Sequence, residues 1–304
     1  MDYHGNATSY IIAYRRTLTT GALNAIHEWG WRVNFDERWT VPQEYTALIR
    51  TFNSEKRLPH TLRSLERQTR PPSKYVFVDS GSTDSTLKRI PDRSLVHKYK
   101  SDRFNYSDSL NAGIAYIDTP YTMIISSHTS IANEMALNYA LNLLSNSDDI
   151  AAAYFIQVYS SELKFTKIGT SNFSGFNGVW NTCAIYKTSL LKRRNFRTDV
   201  FSAEDQEWSG WLFKYERKYV AQIAGGGMSY NNPSFNYIKK SLAERLAVAI
   251  YVKKEMQELP YLLRLFYRVL RPVSNIDERI INAKLLCSLL CYRFKGKAYL
   301  ARLQ

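Results

Sequence analysis

The stretch Tyr75-Val76-Phe77-Val78-Asp79-Ser80-Gly81-Ser82-Thr83-Asp84 decides the fold of this 304-residue chain. An aromatic and β-branched run that ends in Asp, Ser and Gly reads as a strand closed by a tight turn. A strand apolar on both faces needs helices above and below it, as in a parallel sheet. The carboxylate at the strand end can accept hydrogen bonds from a base or ribose. Gly81 lets the chain turn close to a ligand. Ser82 or Thr83 can cap a following helix, whose N-terminus favours a phosphate. Taken alone, the turn describes a capped strand-turn-helix without a ligand equally well, because capping uses the same residue types.

On either side the same alternation continues. Tyr45-Thr46-Ala47-Leu48-Ile49-Arg50-Thr51 is a β-rich run, and Asn53-Ser54 offers a helix start. Leu58, Leu62 and Leu65 then mark one helix face, broken at Pro71-Pro72. After the central turn a second helix is expected to end near Pro91, followed by a third strand over Leu95-Val96-His97-Lys98-Tyr99. Residues 107–117 read as helix, Tyr121-Thr122-Met123-Ile124-Ile125 as a fourth strand, Leu137, Leu141 and Leu144 as helix, and 150–158 as strand. This order implies an α/β fold with a mostly parallel central sheet. Ligands in such sheets bind beyond the carboxyl ends of the strands. The strand ends of interest are therefore Asp79-Ser80-Gly81-Ser82 and Ser126-Ser127-His128.

Three segments follow: an N-terminal arm over 1–40, an α/β domain over 41–235, and a basic helical C-terminal extension over 236–304. Tyr10-Ile11-Ile12-Ala13-Tyr14 reads as a short strand or packing arm, and Trp29, Trp31 and Trp39 suit a segment that packs on something. In the extension, Leu262, Leu265, Phe266 and Val269 alternate with Arg264, Arg268 and Arg271, a basic amphipathic helix. Leu285, Leu286, Leu289 and Leu290 mark another.

A hydrophobic fraction of 45% is enough for a full core without staples. Cys183, Cys287 and Cys291 give neither an even framework nor metal-ligand spacing, which suits a reducing compartment. No leader peptide and no spanning helix are expected, so the chain reads as cytoplasmic or peripheral on the cytoplasmic membrane face. The net charge is +14, and the extension alone holds 14 Lys and Arg against 5 Asp and Glu. Such a field attracts phosphates, nucleic acid or an anionic membrane.

Thr46-Ala47-Leu48-Ile49-Arg50-Thr51-Phe52-Asn53, then Leu65-Glu66-Arg67-Gln68-Thr69, then Val76-Phe77-Val78-Asp79-Ser80-Gly81-Ser82-Thr83-Asp84 resemble the opening of the family 2 glycosyltransferases of the GT-A fold. Those read as a strand ending near an Asn, a helix ending in Gln-Thr, and a strand ending in Asp-x-Gly-Ser-x-Asp. The resemblance covers residues 45–235 and implies a Rossmann-like GT-A domain. It implies that Phe52 and Asp79 hold the nucleobase and ribose, with Arg50, Asn53 and Gly81 beside them, and that Asn111 lies against the nucleotide.

After the fourth strand the pattern departs. Family members usually carry Asp-x-Asp or Asp-Asp there, which binds Mg²⁺ or Mn²⁺ across the diphosphate. This chain has Ser126-Ser127-His128-Thr129-Ser130, so Ser127 and His128 take the donor-side place and His128 stands where the metal-binding Asp would be. Three readings stay open. His128 is a ligand for Mn²⁺, imidazole being a poor ligand for Mg²⁺. Or cations and N–H groups hold the diphosphate without a metal. Or His128 only bonds the donor or its own loop. A second departure is the lack of a His in Ile223-Ala224-Gly225-Gly226-Gly227-Met228-Ser229-Tyr230-Asn231, where Tyr230 and Asn231 are left to meet the donor.

Phe201-Ser202-Ala203-Glu204-Asp205-Gln206-Glu207-Trp208 resembles the acidic pair that supplies the family's catalytic base. The resemblance puts that role on Asp205, with Glu204 orienting the acceptor or a neighbouring group. A hydroxyl attacking an anomeric carbon must lose its proton, which a carboxylate in hydrogen-bond reach accepts. The competing account is an acidic first helical turn favoured by the helix dipole. Upstream, Phe176-Asn177-Gly178-Val179-Trp180-Asn181-Thr182-Cys183-Ala184-Ile185-Tyr186 resembles the acceptor-side segment, with Trp180 and Asn181 as sugar contacts or core packing.

The expected protein is an inverting glycosyltransferase that carries a sugar from a nucleotide-sugar donor to a glycan or lipid-linked hydroxyl, in surface polysaccharide synthesis. The basic extension then docks on an anionic membrane, or is a solvated face packing its leucines; Lys239, Lys240, Lys253 and Lys254 can also neutralise a diphosphate. An oligomer through these helices stays open. A sugar nucleotidyltransferase would carry a Gly-rich loop after the first strand, and Arg50-Thr51-Phe52-Asn53-Ser54-Glu55 has no Gly. A nucleic-acid-binding protein fits the charge but lacks a zinc-finger or RNP-like motif. A degenerate donor-binding protein fits the missing acidic motif, and Asp79 and Asp205 speak against it.

Overall fold

The computed structural model describes residues 44–102, 104–158, 160, 162–231, 236–271, 276–296 and 298–299. The expected arm over 1–40, with its tryptophans, lies outside the described residues. The described residues belong to one compact unit.

Strand β1 (Tyr45–Thr51) pairs in parallel with β2 (Lys74–Asp79) on one side and β4 (Tyr121–Ser126) on the other. Strand β3 (Leu95–Lys98) extends β2 in parallel. Beyond β4 come β8 (Cys183–Lys187), β6 (Ile150–Phe155), β9 (Tyr219–Ala224) and β7 (Lys164–Ile168), giving the order β3-β2-β1-β4-β8-β6-β9-β7. Only β8 and β7 run against the other six, so the sheet is mostly parallel, as expected.

Both faces of the sheet are covered, which is why β1 and β2 are apolar runs rather than alternating ones. Ala47, Ile49, Phe77 and Ile125 face α1 (Leu58–Glu66) and α3 (Ala136–Ser145). Leu48, Val78 and Ile124 face α2 (Tyr106–Ile114), α4 (Thr188–Arg193) and α5 (Glu204–Trp211). Leu58 and Leu65 of α1 are fully buried, worth about 2 kcal/mol each relative to exposure. In β6 a register shift between Ile150 and Ala152 puts Ala151 and Ala152 on the same face. A separate two-stranded antiparallel sheet of β5 (Thr129–Ile131) and β10 (Met228–Tyr230), far apart in the chain, follows the carboxyl ends of β4 and β9.

Two local expectations need correction. The helix expected between Ser85 and Pro91 is a five-residue 3-10 turn, Ser85–Arg89. Its cap is Asp84, which accepts from Thr86 N–H at 2.9 Å, because Ser82 and Thr83 bond to Asp79 and Asn53 instead. Strand β6 stops at Phe155, where its pairing with Ile223 ends, not at Val158.

After residue 235 the chain is helical, as read: α6 (Tyr237–Ala247), α7 (Leu259–Leu270) and α8 (Ile276–Lys295). Leu246, Leu262, Leu265, Leu285 and Leu289 make their shared core. Phe266 and Leu290, expected with that core, are exposed. Among the described residues no helix is long and apolar enough to cross a membrane.

Candidate active site

Two loops at the carboxyl ends of β1 and β2 are knitted together by Asp79. Its carboxylate is buried and accepts four hydrogen bonds, from Thr51 Oγ1 (2.9 Å), Ser82 Oγ (2.6 Å), Gly81 N–H (3.1 Å) and Ser82 N–H (2.9 Å). These fill the lone-pair directions of an ionised carboxylate. Gly81 has φ +90°, a backbone state that Asp79 then fixes. Asn53 also lies at positive φ (47°), and its Oδ1 accepts from Thr83 N–H at 2.9 Å. Asp79 and Asn53 therefore hold the two loops to each other. Phe52 beside them is 57% exposed, an aromatic face open to a flat partner. Arg50 lays its guanidinium over the Tyr106 ring at 4.5 Å, and its Nη1 is buried without a hydrogen-bond partner.

Of the residues expected on the donor side, Ser127 and Asn111 are engaged within the chain, while His128 faces a cavity. Ser127 is buried, with its Oγ on Ser54 Oγ (2.8 Å), so it is not open to a ligand. Asn111 donates to Phe196 O (2.8 Å) and accepts from Phe196 N–H (3.1 Å); its amide braces the segment leading into α5. His128 lines a cavity of about 170 Å³ with Arg57, His60, Thr61, Ser229 and Asn231. Its Nδ1 is buried and unpartnered. Burial first, and then the charge of Arg57, hold the imidazole below its ordinary pKa.

A divalent metal does not fit these groups well. Among the described residues no three His, Cys, Asp or Glu side chains are gathered to hold one. At the β4 end the hydroxyl of Ser127 is spent, and the neutral imidazole has a guanidinium beside it. A hard cation wants oxygen ligands and negative charge.

The acidic pair opens α5. Ala203 just before it is in the left-handed region (φ 57°), a strained state for a residue with a Cβ, worth about 1 kcal/mol or more. Glu204 is buried and Asp205 half-buried. One residue joins them: Asn181 gives its backbone N–H to Asp205 Oδ2 (3.0 Å) and its Nδ2 to Glu204 Oε1 (3.1 Å). Asn181 Oδ1 in turn accepts from Tyr186 OH at 2.6 Å. Asn181 is buried with both ends of its amide engaged, so of the two readings left open for it, sugar contact or packing, the geometry favours a residue that positions the acids. Trp180 is half-buried, bonded to Phe176 O (3.0 Å) and packed on Tyr154.

Around the acids stand further residues, of which the sequence singles out only Lys240, as a cation for the diphosphate. Gln206 accepts from Gly178 N–H (2.8 Å) and donates to Val179 O (2.7 Å), while Ser209 Oγ accepts from Val179 N–H (2.9 Å). A Cβ on Gly178 would sit 2.6 Å from Ser209, so only glycine permits this approach. Helix α6 contributes Lys240 and Glu244, 3.7 Å apart. Lys240 lies over the Tyr230 ring at 5.6 Å, within electrostatic reach of Asp205 and Tyr106. The i, i+4 spacings Asp205–Ser209 and Lys240–Glu244 were the available sequence signals.

Burial is the main cause that pushes Asp205 up to about 7; Glu204 and Glu244 add to it, and the N–H groups of Asn181 and Gln206 oppose it. Burial also raises Glu244, with Lys240 opposing and Glu204 adding. The arrangement is a carboxylate poised near neutrality, with a cation on one side and the Arg50–Tyr106 wall beyond.

The model of a family described as "Glycosyl transferase family 2" matches residues 46–246. No curated protein sequence matches the chain. Among solved structures, a mannosyltransferase from Pyrobaculum calidifontis in complex with GDP-Man and Mn²⁺ is similar at 17% identity and TM-score 0.55, over 87% of this chain and 79% of that one. Glucosyl-3-phosphoglycerate synthase from Mycobacterium tuberculosis, in complex with Mn²⁺, UDP and phosphoglyceric acid, is similar at 13% identity and TM-score 0.52, over 68% of this chain and 76% of that one. TarS from S. aureus is similar at 17% identity and TM-score 0.51, over 84% of this chain and 54% of that one.

Proposed function

The chain belongs to glycosyl transferase family 2, and from that footing we propose that it transfers a sugar from a nucleotide-sugar donor to a glycan or lipid-linked hydroxyl, with inversion and with Asp205 as general base. The observation that carries this reading is the Asn181 clamp on Glu204 and Asp205. It holds a carboxylate whose pKa of about 7 suits a base at neutral pH.

In the reaction Asp205 takes the acceptor hydroxyl proton as its oxygen bonds to the anomeric carbon. The bond from that carbon to the diphosphate breaks on the opposite face, and the nucleoside diphosphate leaves. Glu204 and Glu244 add negative potential that favours oxocarbenium character at the reacting carbon. Arg50 and Lys240 are the cations on hand for the diphosphate, so a metal-free donor site is the version proposed. Phe52 stacks on the base and the Asp79-braced turn seats the ribose. The acceptor belongs to a growing surface glycan, and a lipid-linked one would lie on an anionic membrane.

Two measurements test the donor half. Thermal unfolding with a panel of nucleoside diphosphates and nucleotide sugars should show a raised Tm for one nucleotide, equally in EDTA and in Mn²⁺. A shift seen only with Mn²⁺ would overturn the metal-free site and make His128 the first ligand to test. No shift with any donor would sink the transferase reading. Asp79→Ala should weaken nucleotide binding by about tenfold or more, because the donors it releases lose charge-assisted hydrogen bonds and the loops part. Titration calorimetry giving wild-type affinity would remove this strand end from the donor site.

A further inference from the structure

The feature of this fold that the transfer chemistry leaves unused is one face of α7. The helix reads Leu-Pro-Tyr-Leu-Leu-Arg-Leu-Phe-Tyr-Arg-Val-Leu and packs Leu262 and Leu265 into the core it shares with α8. At 3.6 residues per turn, Leu259, Leu263, Phe266, Tyr267 and Leu270 fall on a different stripe, about 100° wide. All five are between 52% and 62% exposed. Arg264, Arg268 and Arg271 occupy the adjoining flank, about 60° wide. The helix thus carries two apolar faces, one used and one bare, with a cationic edge beside the bare one. Five large apolar side chains in one exposed row are more than scattered surface hydrophobes and mark an interaction surface.

We infer that this stripe of α7 is the element that docks the enzyme on an anionic bilayer, the five apolar side chains entering the interface and the arginines meeting headgroup phosphates and carboxylates. Charge decides the occupant. The helix with its C-cap, Leu259 to Arg271, has three arginines and no acid, and among the described residues none of the three is in an ion pair. A second copy would present the same stripe with no acid on it to answer the arginines. An anionic bilayer supplies both an apolar layer and the opposite charge, the pairing that interfacial helices use. The 14 basic against 5 acidic residues of the extension add a field of the same sign. This deepens the membrane part of the proposed function and rests on it for the acceptor, while the docking itself is read without donor or acceptor.

The test is flotation of the full chain with vesicles of phosphatidylcholine alone and of phosphatidylcholine mixed with phosphatidylserine. The chain should float with the mixed vesicles and stay behind with phosphatidylcholine. Leu263→Asp with Phe266→Asp should abolish flotation. The triple change Arg264→Gln, Arg268→Gln, Arg271→Gln should weaken it by about a hundredfold, about fivefold per arginine. Both variants should unfold at the wild-type temperature, because the changed side chains are exposed. Both should keep the wild-type thermal shift with donor, which separates failure of docking from failure of the transferase reading. Equal flotation with both vesicles, flotation with neither, or a wild-type dimer that both variants turn into monomer would each overturn the proposal.

Discussion

Asp205→Asn is expected to lower turnover by about 10³-fold while donor affinity stays within about twofold. The side chain changes by one atom, so the pocket keeps its shape and only the proton acceptor is lost. The change is not innocent for the hydrogen bonds. Asp205 accepts on one oxygen from Asn181 N–H and on the other from Gln206 N–H. Asn must point its NH₂ at one of those donors, at a cost of about 1–2 kcal/mol. Against this stands the removal of a charge that burial disfavours. The sign follows from the raised pKa: the folded chain holds this proton more tightly than the unfolded chain does. Stability contributed by the group is full below the ordinary carboxylate range and is lost as pH rises through about 7. The Asn variant should therefore gain on the wild type in urea midpoint between pH 5 and pH 8. The same ionisation predicts that wild-type kcat/KM rises with pH below about 7 and levels above it. A variant turning over within tenfold of the wild type, or a flat wild-type pH profile, would take the base role from Asp205.

The sequence carried the sheet centre because β1, β2 and β4 are buried on both faces and so read as unbroken apolar runs. It did not carry β7. Lys-Phe-Thr-Lys-Ile is an edge strand exposed along four of its five residues, and an edge needs no apolar period. The candidate acids were legible as a motif, since an acidic first turn before an apolar helix is a local pattern. Their positioning was not. Asn181 and Asn111 looked like ligand contacts because Asn is a versatile donor and acceptor. Whether an amide is free depends on partners far along the chain, Glu204 and Tyr186 for the first, Phe196 for the second. Glu244 was hidden for the same reason, and Lys240 was legible as a cation for the diphosphate but not as a neighbour of the acids: 35 or more residues past Asp205, inside a segment read as a tail, they reach the acids only through the packing of α6.

The largest stability effect is expected one turn behind the acids, at Glu207. Its carboxylate is buried and takes Arg194 Nη2 at 2.6 and 2.8 Å, with Arg197 Nη1 at 3.5 Å. Arg194 also stacks on Trp211, and its Nη1 is buried without a partner, so this guanidinium already depends on Glu207 for most of its compensation. Glu207→Ala would leave a largely buried cation unanswered, which costs about 3–5 kcal/mol. Because Arg194 and Arg197 sit in the segment that Asn111 braces, their release would also loosen the lead into Ala203 and the strained turn that aims Glu204 and Asp205. Loss of activity should therefore exceed what the folded fraction alone explains, and should appear in kcat more than in KM. Adding Arg194→Met removes the stranded charge and should restore most of the stability, leaving the kcat defect from the loosened segment. A single variant whose urea-derived stability lies within about 1 kcal/mol of the wild type would mean that the pair is exposed enough for solvent to replace it, and the coupling argued here between this ion pair and the acids would fall with it.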